Sequence, residues 1–240
     1  MASSTAHSSG PPRTNATRRP VDTEAPPGSD FWDRIQRGNN TTRVGATTSP
    51  RTIASQIAAQ ARAAVDAPLL RCVGPQATNQ AVKAIAIART YLEQSDASGS
   101  CLHPDVSFYP EFIKVDSGAD EELSAMQLKL AKRSRRTGVD SQEYRSLKVS
   151  NQTDAKSLAG AIASCTREGS RVELTAIGAG SVNQSIKAIA IARQYVDEEA
   201  IDLSCRPEFI EVNMEAPPQE ALTNTGVCSA LRLMVLVEQT

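Results

Sequence analysis

The sequence predicts an α/β fold: a two-layer α+β sandwich of order β-α-β-α-β-β, built twice in one chain as an internal pseudo-two-fold dimer. Three observations carry this. The segment NQAVKAIAIARTY, from Asn79, recurs as NQSIKAIAIARQY, from Asn183, at a spacing of 104 residues. Within each copy, short period-two apolar runs alternate with longer runs of helical period, the pattern of strands interleaved with helices. The AIAIA centre of the repeated helix is apolar on every side, whereas a helix with its back to water is amphipathic.

The match extends in both directions, and the repeat organises the chain. Upstream, VGATTSPRTIASQIA from Val44 parallels VSNQTDAKSLAGAIA from Val149, and Gly74 parallels Gly178. Downstream, PEFIKV from Pro110 parallels PEFIEV from Pro207, after a seven-residue insertion in the first copy, and SAMQLKL from Ser124 parallels SALRLMV from Ser229. Residues 1–40 then form a disordered tail, 41–132 and 145–240 the two domains, and 133–144 a basic linker.

In the second copy, Leu147 and Val149 open a short strand. Asp154 stands where an N-cap begins a helix carrying Leu158, Ala161, Ile162 and Cys165. Val172, Leu174, Ala176 and Ile177 form a second strand that stops at the glycines, and a second helix runs from Ser181 to Val196. A strand from Ile201 to Cys205 continues past Pro207 through Phe209, Ile210 and Val212. The last strand, Ala230 to Val237, is almost wholly apolar and therefore central to the sheet. Both helices cover one face of a mixed sheet.

A helix apolar all round must be covered on both sides, and small alanines let another helix approach closely. The other copy supplies an identical surface. The two copies are therefore expected to pack through Ala84, Ile85 and Ala88 against Ala188, Ile189 and Ala192.

Composition narrows the function. A net charge of -1 over 240 residues excludes a protein that coats nucleic acid by charge alone, and 4% aromatic residues argue against extensive base-stacking surfaces. Five cysteines, with no CxxC pair, suggest neither a disulfide framework nor a zinc site but buried thiols in a reducing compartment. With two histidines, His7 and His103, and no Ser-His-Asp order, metal cluster or nucleotide loop, the chain reads as a non-enzyme without cofactor or metal. No apolar run is long enough to span a bilayer. The expected location is the cytoplasm, with a plastid or mitochondrion as the alternative if the Ser- and Arg-bearing tail is a transit peptide, and the nucleus if the basic cluster is an import signal. Within the tail, Phe31, Trp32 and Ile35 suggest a short docking helix.

Charge is divided unevenly: +1 over residues 1–40, +3 over 41–136 and -5 over 137–240. The excess in the first copy comes from Lys129, Lys132, Arg133, Arg135 and Arg136. In the second copy, GAGSVNQSIK from Gly178 places two glycines, Gly178 and Gly180, at the end of a strand and the start of a helix. The helix N-terminus offers unpaired N–H groups and a partial positive charge to an anion. Ser181, Asn183 and Gln184 are candidate donors there, with Lys187 and Arg193 further along; a packed turn with these polar groups satisfied internally is the alternative. The first copy breaks the pattern with Pro75 and Gln76 but keeps Lys83 and Arg89.

The second copy, with LKVS, SLAGAIA, TAIGAGSVNQSIKAIAIARQYV and SCRPEF, resembles the stage V sporulation protein S family across its whole length, and the first copy is a diverged relative through GPQATNQAVKAIAIARTYL. That family is a branch of the Alba-like superfamily of nucleic-acid-binding proteins. The resemblance implies the β-α-β-α-β-β fold, pairing of two copies and affinity for RNA or DNA. In Alba proteins the contacts come from the loop before the first helix, a Gly-Arg turn before the second, and a basic hairpin arm. Here Arg51 and Lys156 lie in or near the first-helix loops, Ala179 and Pro75 stand where the turn arginine would be, and the hairpins are acidic, DSGADEE from Asp116 and MEAPPQE from Met214. The expected function is nucleic-acid binding of modest affinity through phosphate contacts from Arg51, Lys83, Arg89, Lys156, Lys187, Arg193 and the basic linker; the rival is a protein-interaction module that kept the fold and lost nucleic acid.

Overall fold

The computed structural model describes residues 41–63, 68–94, 102–116, 122–136, 143–214 and 226–239. The expected docking helix at Phe31, Trp32 and Ile35, the rest of the tail and nearly all of both acidic hairpin tips lie outside the described residues.

The first copy runs β1 (Thr41–Val44), α1 (Pro50–Arg62), β2 (Leu69–Cys72), α2 (Gly74–Gln94), β3 (Leu102–Asp116) and β4 (Glu122–Arg136). The second repeats the order as β5 (Tyr144–Val149), α3 (Ala155–Arg167), β6 (Arg171–Ala176), α4 (Ala179–Val196), β7 (Ile201–Met214) and β8 (Gly226–Gln239), with one 3-10 turn, Asp197–Glu199, before β7. The strands make one eight-stranded mixed sheet in the order β1-β2-β4-β3-β7-β8-β6-β5. Only the pairs β1/β2 and β5/β6 are parallel. As its apolar run required, β8 is interior, between β7 and β6.

Local chemistry sets the helices. Pro50 occupies the first turn of α1, where its missing N–H costs nothing, and the Asp154 carboxylate accepts the Ser157 N–H at 2.8 Å to cap α3. α3 buries Leu158, Ala159, Ile162, Ala163, Cys165 and Thr166. Ala161, expected on that face, is exposed instead, because from Leu158 a 100° step per residue brings positions 159 and 162 inward and turns 161 out.

The copies meet in two layers. In the sheet, β3 and β7 pair antiparallel at Phe108 and Cys205. Each of these residues lies two positions before its copy's Pro-Glu-Phe, so they are equivalent and the pseudo-two-fold axis passes between them. Above the sheet α2 and α4 touch. Ala84, Ile85, Ala88, Ala188, Ile189 and Ala192 are all buried, in one core that is continuous through both copies. No helix among the described residues is long and apolar enough to cross a membrane.

Candidate nucleic-acid interface

β6 leads through Ile177 into Gly178, whose φ of 85° is a left-handed conformation open to glycine, and α4 starts at once. No side chain caps that start. A Cβ on Gly180 would lie 2.7 Å from the Asn151 Cβ, so the bare glycine is what lets α4 begin against the turn at 150–153. That turn is held by the Ser150 N–H donating to Thr153 Oγ1 at 2.9 Å. Between the turn and the helix start lies a cavity of about 760 Å³, lined among others by Lys148, Ser150, Asn151, Ile177, Gly178 and Val212.

Lys148 was not among the residues singled out from sequence. Its signal is present, however: Leu147 and Val149 turn toward the core, so Lys148 between them must face outward. Asn151 and Val212 have no such signal, since only the folded chain brings the 150–153 turn and β7 beside Gly178.

The expected donors at the turn behave differently from one another. Ser181 is buried at the cavity wall, and its hydroxyl proton is shared between the carbonyls of Ile177 and Gly178 at 2.6 and 2.9 Å, so it holds the turn. Asn183 is buried, while Gln184, Lys187 and Lys83 are half-buried. Arg51 and Lys156 are exposed in the first turns of α1 and α3. In the first copy, Gly74 keeps the left-handed φ, at 82°, but Pro75 and Gln76 fill the place of the Ala-Gly pair.

Arg89 and Arg193 require correction. Both were read as phosphate contacts, and both point into the seam between the copies. Arg89 Nε donates to Asp105 Oδ1 at 2.7 Å, and its Nη1 crosses to the Pro207 carbonyl at 2.6 Å. Arg193 Nε donates to Asp202 Oδ1 at 2.7 Å, and its Nη1 crosses to the Pro110 carbonyl at 2.8 Å. Arg89 and Asp105 are buried, Arg193 and Asp202 half-buried. Burial alone would raise the Asp202 carboxyl, but the Arg193 hydrogen bonds and charge, with the Leu203 N–H and the Lys129 charge, outweigh it and hold it below its ordinary value.

The basic cluster also sits elsewhere than expected. Residues 133–136, read as the start of a linker, are the end of β4, where Arg133 stands opposite Asp105, Arg135 opposite His103 and Arg136 opposite Leu102. Lys129 and Lys132 are exposed, and Lys132 Nζ donates to the Ala63 carbonyl. Arg133 belongs to the seam: Nε donates to Ser107 Oγ at 3.0 Å, and Nη2 to Tyr109 Oη at 2.6 Å and to the Glu238 carboxylate of the other copy. Tyr109 Oη and Ser204 Oγ each donate to the same carboxylate at 2.6 Å. Burial would raise the Glu238 carboxyl, yet these donors and the Arg133 charge hold it below the usual range. The Arg193 guanidinium lies over the Tyr109 ring, 5.2 Å from its centre.

The described residues thus hold two arrangements of charge, a cation-bearing cavity at Gly178 and an internally neutralised seam. The family model for stage V sporulation protein S matches twice, over residues 40–133 and 145–230, the first match reaching into the end of β4 and the second into the start of β8. The chain belongs to the stage V sporulation protein S family and carries two of its domains in tandem.

Proposed function

We propose that the chain binds RNA or DNA through the phosphate backbone, one-sidedly, at the end of the second copy where α4 begins. The observation that supports this most is the cavity in which the uncapped start of α4, the exposed Lys148 and the polar turn at Ser150 and Asn151 meet. A helix N-terminus attracts anions, and a lysine beside it adds a point charge suited to phosphate. Lys156 supports the reading, because the helix dipole disfavours a cation in a first turn, so its placement there is not for the helix; Arg51 holds the equivalent place in α1, at the other end of the sheet. With Arg89, Arg193 and Arg133 spent on the seam, few cations remain for phosphate, which fits modest affinity with little base readout.

The test is fluorescence anisotropy of labelled single-stranded RNA and duplex DNA across a salt series. Affinity is expected to fall with salt, and Lys148→Glu and Lys156→Glu to weaken binding and to flatten the log–log slope by about 1 each. Absence of binding at low salt, or binding indifferent to Lys148→Glu, overturns it. A second reading, a protein-interaction module, is favoured by the exposed Leu123, Ile177, Phe209 and Val227 on or beside the two hairpin arms. It predicts capture of a partner that survives nuclease treatment and is lost on Phe209→Glu.

A further inference from the structure

The seam contains side chains of two kinds. Arg89 and Arg193, Asp105 and Asp202, Pro110 and Pro207, and Ser107 and Ser204 are identical pairs at equivalent positions, so they would serve any pairing of these domains, like with like or like with unlike. Two equivalent positions have diverged: Tyr109 answers to Arg206, which approaches Asp105 of the first copy at 3.9 Å, and Arg133 answers to Glu238. Arg133 and Glu238 are the pair that meets across the axis. Each lies nine residues beyond the serine that opens its copy's SAMQLKL or SALRLMV segment, so they too are equivalent, and yet they carry opposite charges and bond to each other.

Equivalent positions that touch must straddle the axis. In a pair of like copies the same position would therefore meet itself: Arg133 against Arg133, or Glu238 against Glu238. Both side chains are substantially buried, at 32% and 24% exposure, so water would screen such a clash only in part. In a first-copy pair the Ser107 and Tyr109 hydroxyls could still accept from the arginines, but no carboxylate at this position would neutralise them; in a second-copy pair Arg206 stands where Tyr109 does and offsets part of the repulsion between glutamates, so the first-copy pair is the more strongly rejected.

We infer that the seam is selective: the Arg133/Glu238 position makes each domain's pairing surface fit the other domain of this chain and reject a second copy of itself. The identical residues supply attraction, and the diverged position supplies the repulsion against wrong partners. The kind of partner this surface takes is a complementary paralogous domain, which the chain carries within itself. This holds whatever the Gly178 cavity binds.

The full-length protein tests it. Glu238→Arg sets two arginines against each other at this position and Arg133→Glu two glutamates, with Tyr109 and Arg206 unchanged, while Glu238→Gln and Arg133→Gln only delete a charge. Thermal unfolding at low ionic strength is expected to show each reversal lowering Tm by about 4 °C or more beyond its neutral counterpart, with most of the loss regained in the double reversal Arg133→Glu/Glu238→Arg. Reversals no worse than the neutral variants, or a double reversal as unstable as the worse single one, overturn the inference. Should a single reversal yield no folded protein, the double decides: a folded double supports selectivity and an unfolded one refutes it.

Discussion

The guanidinium of Arg89, in the second helix of the first copy, donates to the main-chain carbonyl of Pro207, 118 residues away in the second copy. Its pseudo-two-fold mate repeats the contact from Arg193 to Pro110. The two contacts stand in unequal surroundings, since Arg89 and Asp105 are buried and Arg193 and Asp202 only half so. Arg89→Ala leaves the buried Asp105 carboxylate with the Val106 N–H and only the more distant Arg206, at 3.9 Å, and is expected to cost about 3 kcal/mol. Arg193→Ala leaves Asp202 within reach of water and should cost about 1–2 kcal/mol. Urea unfolding of the two variants checks the order; a larger loss at Arg193 would contradict it.

Acid should open the seam. Asp202 and Glu238 both have carboxyls held below their ordinary values of 3.8 and 4.5 in the folded chain. A depressed carboxyl contributes stability that is present above its unfolded value and is lost as pH falls through the folded one. Stability is therefore expected to be insensitive to these groups above about pH 5 and to fall below pH 4. Asp202→Asn/Glu238→Gln should be less stable at neutral pH and show a shallower acid limb, read from denaturant midpoints between pH 5 and pH 2.

The glycines of the α4 turn should fail for different reasons. Gly178→Ala places a side chain at φ 85° and ψ 166°, a backbone conformation almost confined to glycine, and is expected to cost about 1–3 kcal/mol that no neighbour can relieve. Gly180→Ala drives a Cβ into that of Asn151 and should cost about 1–3 kcal/mol, with the cavity displaced. Asn151→Gly removes the obstructing atom, so it should rescue Gly180→Ala and leave Gly178→Ala unchanged. Unfolding midpoints of the five variants separate the two mechanisms.

Thiol chemistry should follow burial. Burial pushes the Cys72 thiol up to about 11, against a smaller opposing effect of its hydrogen bond with Thr78, and raises Cys205 as well. Cys228 is half-buried. Alkylation of the native protein near pH 8, mapped by peptide mass spectrometry, should modify Cys228 well before Cys72 or Cys205, and denaturant should remove the difference.

Legibility varied with the range of the interaction. The Asp154 cap, the Gly178 turn and the interior β8 are all set within a few residues, by a carboxylate before a helix, a glycine after a strand and an apolar run. Arg89 and Arg193 were misread because a basic residue on a helix shows its charge but not its partner. A signal existed: both copies keep an aspartate five residues before the Pro of Pro-Glu-Phe, at Asp105 and Asp202, together with the helix arginine. Residues 133–136 were misread because a run of like charges resembles a linker and the alternation of Leu128 and Leu130 with Lys129 breaks at Lys132; the strand continues because its backbone pairs with β3 as far as Leu102.

The sequence alone determined the duplication, the order of elements in each copy and the need to cover AIAIA on both sides, because these follow from local periodicity and from burial of apolar surface, neither of which depends on knowing partners. Only the tertiary structure decided which charges are free. A cation's role is set by what lies within a few ångströms of it, and for Arg89, Arg193 and Arg133 that neighbour belongs to the other copy, about a hundred residues away along the chain.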